Sequence, residues 1–352
     1  MPIAIVAFIG ILAGLVLAHE LGHFITAKAS GVRVHEFGIG FPPRLFSVRR
    51  RETVYSLNAI PLGGFTKMAG EEDPKASRSL AGKPIGIRLL VLSAGSLMNI
   101  ILPLLLFSIA FMIPHNQVEG QVLITEVAPN SPAARAGIEP GDTFLSINEK
   151  PVQNIGDLHR YIQLNLGREA TILVRHSDST TENFQVIPRW KPPEGQGAIG
   201  ITVNMLNPTI VRQHEPPWRA APMAAFACIE TFSLFKNGIL SMIVGAAPVA
   251  VTGPVGIAQI TGEVAKAGMS PLLEFAAFLS INLAIINIFP LPALDGGRIA
   301  FVLLEWVRRG KRISPKKEGL VHFIGFAALI GAIMVITYHD ITRIMSGGSP
   351  IP

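Results

Sequence analysis

The first seventeen residues carry no charged side chain, and the apolar run continues to Ala27 with His19, Glu20 and His23 set into it. Crossing a hydrocarbon core takes about 20 apolar helical residues. Four stretches meet that requirement: roughly Ile3–Ala27, Ile87–Ile113 with Arg88 at its entrance and Pro103 midway, Leu272–Leu291, and Leu320–Thr337. A fifth, Ala220–Val251, is interrupted by Glu230, Lys236 and Asn237. That interruption predicts an amphipathic helix lying on the membrane surface in preference to a span.

Between the first two spans the period changes from helical to alternating. "VHEFGIGFPPRLFSVRRRETVYSLNAIPLGGFTKMAG" falls into two alternating halves punctuated by Gly38, Gly40, Gly63 and Gly64, which predicts β-hairpins. After the second span, "GQVLITEVAPNSPAARAGIEPGDTFLSINEKPV" reads as strand, turn, short Ala-rich helix and strand. "IGDLHRYIQLNLG" follows as an amphipathic helix, and "EATILVRH" and "ENFQVIPRW" as strands. This stretch, about Glu119–Trp190 with "GAIGITVN" as a closing strand, resembles a bacterial PDZ domain through "SPAARAGIEPGDTFLSIN". Such domains bind extended peptides or chain ends at a sheet edge; a spacer without a ligand is the alternative.

Composition agrees with a polytopic membrane protein. Of 352 residues, 49% are hydrophobic and 15% charged, and mean hydropathy is +0.44, too apolar for an ordinary soluble chain. One cysteine, Cys228, excludes an intramolecular disulfide and a cysteine-ligated zinc site. The isoelectric point near 9.6 comes from basic residues beside apolar segments, which fits anionic lipid and not nucleic acid. The N-terminus lacks a basic leader and a small-residue cleavage site, so the first helix is expected to be retained.

Charge asymmetry orients the spans. Lys28–Arg88 holds 11 Lys/Arg against 5 Asp/Glu, and Asp295–Glu318 holds 7 against 3, whereas His115–Ser270 holds 11 against 13. The first two segments are therefore expected in the cytoplasm, with the PDZ-like region outside.

Ionisable groups at membrane depth are functional candidates, and "HELGH" places three on one turn. His19 and His23, four residues apart, project from one helical face and can grip one metal ion, with Glu20 beside them to take a proton from water. Catalytic zinc needs a third protein ligand and an open fourth position. Asp295, in "NIFPLPALDGG", is the candidate: Pro290 and Pro292 break the third span, and Gly296 and Gly297 permit close backbone approach, so the carboxylate sits on irregular backbone that only protein or a cavity satisfies at depth. A plain helix N-cap is the alternative for Asp295.

"HELGH", "NIFPLPALDGG", the intervening PDZ-like region and the order of spans together resemble the site-2 protease family of intramembrane zinc metalloproteases, nearest the bacterial regulator-of-sigma-E protease group. The pattern Asn-x-x-Pro-x-Pro-x-Leu-Asp-Gly falls on Asn287, Pro290, Pro292, Leu294, Asp295 and Gly296 without mismatch. The resemblance implies that His19, His23 and Asp295 bind Zn2+, that Glu20 is general base and then acid, and that Asn287 and Asn282 hold the substrate backbone or the developing oxyanion. It implies that the segment through Gly63, Gly64 and Phe65 belongs to a membrane-dipping β-hairpin presenting an edge strand to substrate. "TGPVGIAQ", Thr252–Gln259, matches another recurrent family segment. Ser96 stands where the family usually has proline, in "AGSLMN", and there is room for one PDZ domain where some members have two.

The expected fold is thus a polytopic α-helical membrane protein of about four transmembrane helices, with a membrane-associated β-hairpin segment and an inserted α+β PDZ domain. The expected divisions are 1–114 for the first two spans and hairpin, 115–205 for the PDZ domain, 206–271 for a membrane-associated linker, and 272–352 for the last two spans. By resemblance, the expected substrates are single-pass membrane proteins pre-trimmed by another protease, such as an anti-sigma factor or a remnant signal peptide. The place is the bacterial inner membrane, with the active site toward the cytoplasm and the PDZ domain, with or without a peptide ligand, on the periplasmic side; nucleic acid is not an expected partner. Two other classes compete. A scaffold with structural zinc would need a fourth ligand, for which only His35, His322 and His339 offer themselves, and an ion-coupled transporter would need inverted repeats, which the sequence lacks.

Overall fold

The computed structural model describes residues 2–71, 73–246 and 252–346. In chain order the elements are α1 (Pro2–Ala29), β1 (Val34–Arg50), β2 (Thr53–Met68), α2 (Ile85–Met112), β3 (His115–Val127), α3 (Pro132–Ala136), β4 (Thr143–Ile147), β5 (Lys150–Pro151), α4 (Ile155–Leu164), β6 (Ala170–Arg175), β7 (Thr181–Val186), β8 (Ile201–Gln213), α5 (Pro217–Ile243), α6 (Pro254–Ala267), α7 (Met269–Ile288), α8 (Asp295–Val307) and α9 (Pro315–Met345). They divide into two compact units, one of residues 1–111, 217–225 and 251–352, the other of residues 112–216 and 226–250.

The first unit is helical apart from β1 and β2. Its helices place small and polar residues inside and large aliphatics outside. On α2, Val91, Leu92, Ala94, Gly95, Ser96, Asn99 and Pro103 are buried, while Leu90, Leu97, Ile100, Ile101, Leu104 and Leu105 are exposed. In lipid there is no hydrophobic drive between helices, so small residues that let backbones approach make the interface. Gly22 on α1 shows the effect: a Cβ there would lie 2.3 Å from the Ala94 carbonyl oxygen. The helix runs through Ser96 and Pro103 without a break.

Among the described residues, five helices are by length and composition apolar enough to cross a membrane, the four expected spans and one more: those ending at Ala29, Met112, Ile243, Ile288 and Met345. The added one is α5, in the stretch read as a surface helix; Glu230 and Lys236 dilute its apolar length without reducing it below the length of a span.

The alternating segment after α1 forms a ribbon folded back on itself. Val34–Ile39 is flanked by Gly64–Met68 along one edge and by Val54–Leu57 along the other, while Arg44–Arg50 pairs with Thr53–Asn58. The inner part is buried at Val34 and Phe37, and Phe41, Leu45, Phe46 and Val48 on the outer part are exposed. β2 packs along α1, where Thr66 Oγ1 donates to the Glu20 carbonyl at 3.0 Å.

The second unit is an α+β domain around a sheet ordered β7-β6-β4-β3-β8. Val122, Ile124, Phe144, Ile147, Leu158, Tyr161, Ile172, Val174 and Ile199 fill its core. Helix α3 starts as its sequence requires: Ser131 Oγ accepts from the Ala134 N–H, proline follows at the first helical position, and Gly137 closes the helix in the left-handed region. The closing strand is longer than "GAIGITVN" suggested. β8 pairs with β3 from Ile201 to Gln213 and so extends past residue 205 into the stretch read as linker. The part of α5 from Phe226 belongs to this unit as well: Glu230 pairs with Lys150, and Asn237 Nδ2 donates to the Gln163 carbonyl at 2.7 Å. Residues 247–251 of the expected linker and 347–352 of the last division lie outside the described residues.

Candidate metal centre

Three segments distant in sequence build the centre. The last turns of α1 carry His19, Glu20 and His23. α2 lies against them, with Gly95 facing both imidazoles. Asp295 arrives from the irregular stretch after α7. Phe289 is extended, Ala293 takes a left-handed φ of 75°, and the Ala293 N–H donates to His322 Nδ1 of α9 at 2.9 Å. Gly296 sits where a Cβ would lie 2.0 Å from the Phe289 carbonyl, so only glycine lets the chain fold back there.

Asp295 is not a helix cap. The N-cap of α8 is Leu294, without a side-chain capping bond, and the Asp295 carboxylate turns toward α1 instead. Its Oδ2 lies 3.0 Å from His19 Nε2 and 3.1 Å from His23 Nε2, and the two Nε2 atoms are 3.2 Å apart. Both histidines are buried. Two imidazole nitrogens and one carboxylate oxygen, each within 4.8 Å of the others, form a donor set suited to zinc. The space at this convergence depends on Gly95, where a Cβ would fall 2.4 Å from His23 Nε2 and 2.6 Å from His19 Nε2. A three-residue set also leaves a coordination position free, which closed structural sites do not.

The remaining expected residues divide into two groups. Gly64 lies beside Glu20: a Cβ on it would be 3.6 Å from Glu20 Cγ. Gly63 sits against Val16 with a left-handed φ of 100°, and the Phe65 ring stacks with Phe41 at 6.4 Å. The ribbon edge therefore runs alongside the turn of α1 that carries Glu20. Asn282 and Asn287 on α7 make no hydrogen bond to His19, His23 or Asp295 among the described residues, and Asn282 Oδ1 is buried without a partner.

Several neighbours of the centre carry no recognisable signal in sequence. The Val91 carbonyl accepts from His23 Nδ1 at 2.8 Å, an interaction of the backbone that no side chain announces. Ser280 Oγ donates to the Asn99 carbonyl at 2.9 Å and so ties α7 to α2. Ser96 and Asn99, in the "AGSLMN" stretch, are fully buried, and the Asn99 amide lies 3.5 Å from His19 Nδ1.

Comparison with known proteins gives a consistent result. The model of peptidase family M50 matches residues 7–332. A protein of Clostridium acetobutylicum is 37% identical over 350 residues, covering 96% of each chain. The zinc metalloprotease RasP of Geobacillus kaustophilus is 30% identical over 429 residues, covering 97% of this chain and 98% of that one. The regulator of sigma-W protease RasP of Bacillus subtilis is 29% identical over 426 residues, with the same coverage.

Proposed function

This chain belongs to peptidase family M50, the site-2 protease family of zinc metalloproteases, and on that premise we propose that it hydrolyses peptide bonds in or near the transmembrane helix of single-pass membrane proteins, with His19, His23 and Asp295 as zinc ligands and Glu20 as the acid–base residue. The convergence of His19 Nε2, His23 Nε2 and Asp295 Oδ2 within 3.0–3.2 Å, at the end of an otherwise apolar helix, carries this reading.

Zinc bound by these three side chains supplies Lewis acidity, which acidifies water and polarises a carbonyl oxygen. Glu20, one residue from His19, takes the proton as water oxygen bonds to the scissile carbon. It then delivers that proton to the leaving nitrogen as the C–N bond breaks. Thr66 holds the backbone at Glu20, and Gly64 places the ribbon edge beside it, a Cβ there lying 3.6 Å from Glu20 Cγ.

A helical substrate hides its carbonyls in its own hydrogen bonds and must unwind before it is cut. The edge at Gly63, Gly64 and Phe65 offers replacement bonds by strand addition. Asn282, with a buried amide oxygen free of partners, and Asn287 on the same helix are assigned to the substrate backbone or the oxyanion.

The chain is placed in the bacterial inner membrane with about four of its five candidate helices crossing, the metal centre toward the cytoplasm and the α+β unit, read as a PDZ domain, in the periplasm; the basic excess of Lys28–Arg88 and Asp295–Glu318 supports that orientation. A relative named for regulation of sigma-W supports a membrane-anchored anti-sigma factor, already trimmed by another protease, as substrate. The PDZ unit then filters by size or binds the new chain end.

The test is cleavage of a tagged single-pass helix by the purified full chain in proteoliposomes, beside Glu20→Gln and with a zinc chelator. Wild type alone should cut, and only without chelator; Glu20→Gln should keep its zinc and lose about 100-fold or more in rate. Equal cutting by both proteins removes Glu20 from the mechanism.

A further inference from the structure

A metal-binding imidazole presents one nitrogen to the ion and donates its other N–H to an acceptor that fixes ring and tautomer. His23 meets this condition through the Val91 carbonyl. His19 turns Nε2 toward Asp295, so its Nδ1 must carry the proton and needs an acceptor. The group facing Nδ1 is the side-chain amide of Asn99, whose Nδ2 lies 3.5 Å away while its Oδ1 is buried without a partner. Two donors then face each other beside an idle acceptor. A half-turn of the amide exchanges its nitrogen and oxygen, which have nearly the same shape.

We propose that Asn99 is the positioning residue for His19, its Oδ1 accepting the Nδ1–H and so holding Nε2 unprotonated and aimed at the metal. This depends on the assignment of His19 as a zinc ligand made above. Asn99 is suited to the task. It is fully buried, and its own carbonyl is held by Ser280 of α7, so its helix turn is fixed against a second element. One turn earlier on the same helix, Ser96 Oγ is likewise buried without a partner. α2 thus orients both histidines, one through backbone at Val91 and one through a side chain at Asn99.

The experiment measures zinc affinity and zinc release into excess chelator for the purified full chain, with thermal melting alongside. Asn99→Leu keeps the shape and removes the acceptor; it should weaken zinc by about 10- to 100-fold, the usual cost of losing such an outer partner. Asn99→Asp restores an acceptor and should return affinity to within a few-fold of wild type. Wild-type zinc binding by folded Asn99→Leu overturns the proposal. If the leucine variant does not fold, Asn99→Asp decides: zinc held as in wild type supports an acceptor role, and a tenfold loss overturns it. His19→Ala, measured in parallel, separates the two levels, because full zinc retention there would remove His19 as ligand whatever Asn99 does.

Discussion

His23 and Asp295 are 272 positions apart in sequence, and their Nε2 and Oδ2 atoms are 3.1 Å apart in space. Nothing local brings them together. α8 has to be delivered to α1 by the whole arrangement of α2, α7 and α9. Asp295→Ala should therefore cost more zinc affinity than the about 10- to 100-fold expected for an outer hydrogen-bond partner, while leaving the helices assembled. Elemental analysis of the purified variant checks this; one zinc per chain in Asp295→Ala would reassign the third ligand.

Gly95 sets the free space beside the two imidazoles. In Gly95→Ala the new methyl meets His23 Nε2 at 2.4 Å and His19 Nε2 at 2.6 Å, so rings or helix must shift at a cost of about 1–3 kcal/mol. Zinc content and activity should both fall. Gly10→Ala on α1, which has nothing within 4 Å of the added methyl, is the matched control and should retain both.

Arg88 of α2 reaches Glu305 of α8 at 2.6 Å, and Arg312 approaches the same carboxylate at 2.9 Å. Arg88 and Glu305 are both buried. Glu305→Leu leaves Arg88 without its partner and should destabilise by about 3–5 kcal/mol, whereas combining it with Arg88→Met, itself made as the second single variant, should recover much of the loss. Chemical denaturation of the four proteins completes the cycle. Because α8 begins at Asp295, zinc retention should follow the same order.

In the α+β unit, His176 Nδ1 bonds Asp142 at 2.7 Å, with Glu182 3.4 Å from the other nitrogen. The bond to Asp142 raises His176 above the ordinary imidazole value of 6.5. The stabilisation from this pair is then complete below pH 6.5, where the unfolded chain is protonated too, and is lost as pH rises through the folded-state value. Melting of the full chain followed by a probe in this unit should show stability falling across that interval. His176→Ala should flatten the profile; an unchanged slope removes the pair as its cause.

The parts of this molecule that follow from local chemistry were legible in sequence. Hydrophobic length marks α1, α2, α7 and α9, the spacing of His19 and His23 marks a metal face, and Ser131, Pro132 and Gly137 bound α3. Asp295 was legible because a carboxylate between prolines and glycines is anomalous at membrane depth. Reading α5 as a surface helix gave weight to three polar residues; Glu230 and Asn237 contact the α+β unit, and the helix still has the length and hydropathy of a span. The folded-back ribbon was visible only as alternation, since its double pairing depends on non-local register. The acceptors for the histidines were invisible for a simpler reason: a backbone carbonyl at Val91 has no residue type, and Asn99 resembles any other buried amide until its neighbours are known.

α9 is pinned at two depths by polar bonds, His322 accepting from Ala293 and Asp340 accepting from the Gly256 N–H at 2.8 Å, while its apolar side chains face outward along almost all of its length. In an acyl environment the outward leucines and isoleucines are equally content at any rotation of the helix. The two pins, with the close fit of Gly325 against Pro292, act as its address. Removing them would produce a chain that still inserts with every helix counted and every terminus on its expected side, yet whose last helix has no fixed rotation. Such a protein would pass any assay of topology and fail as an enzyme.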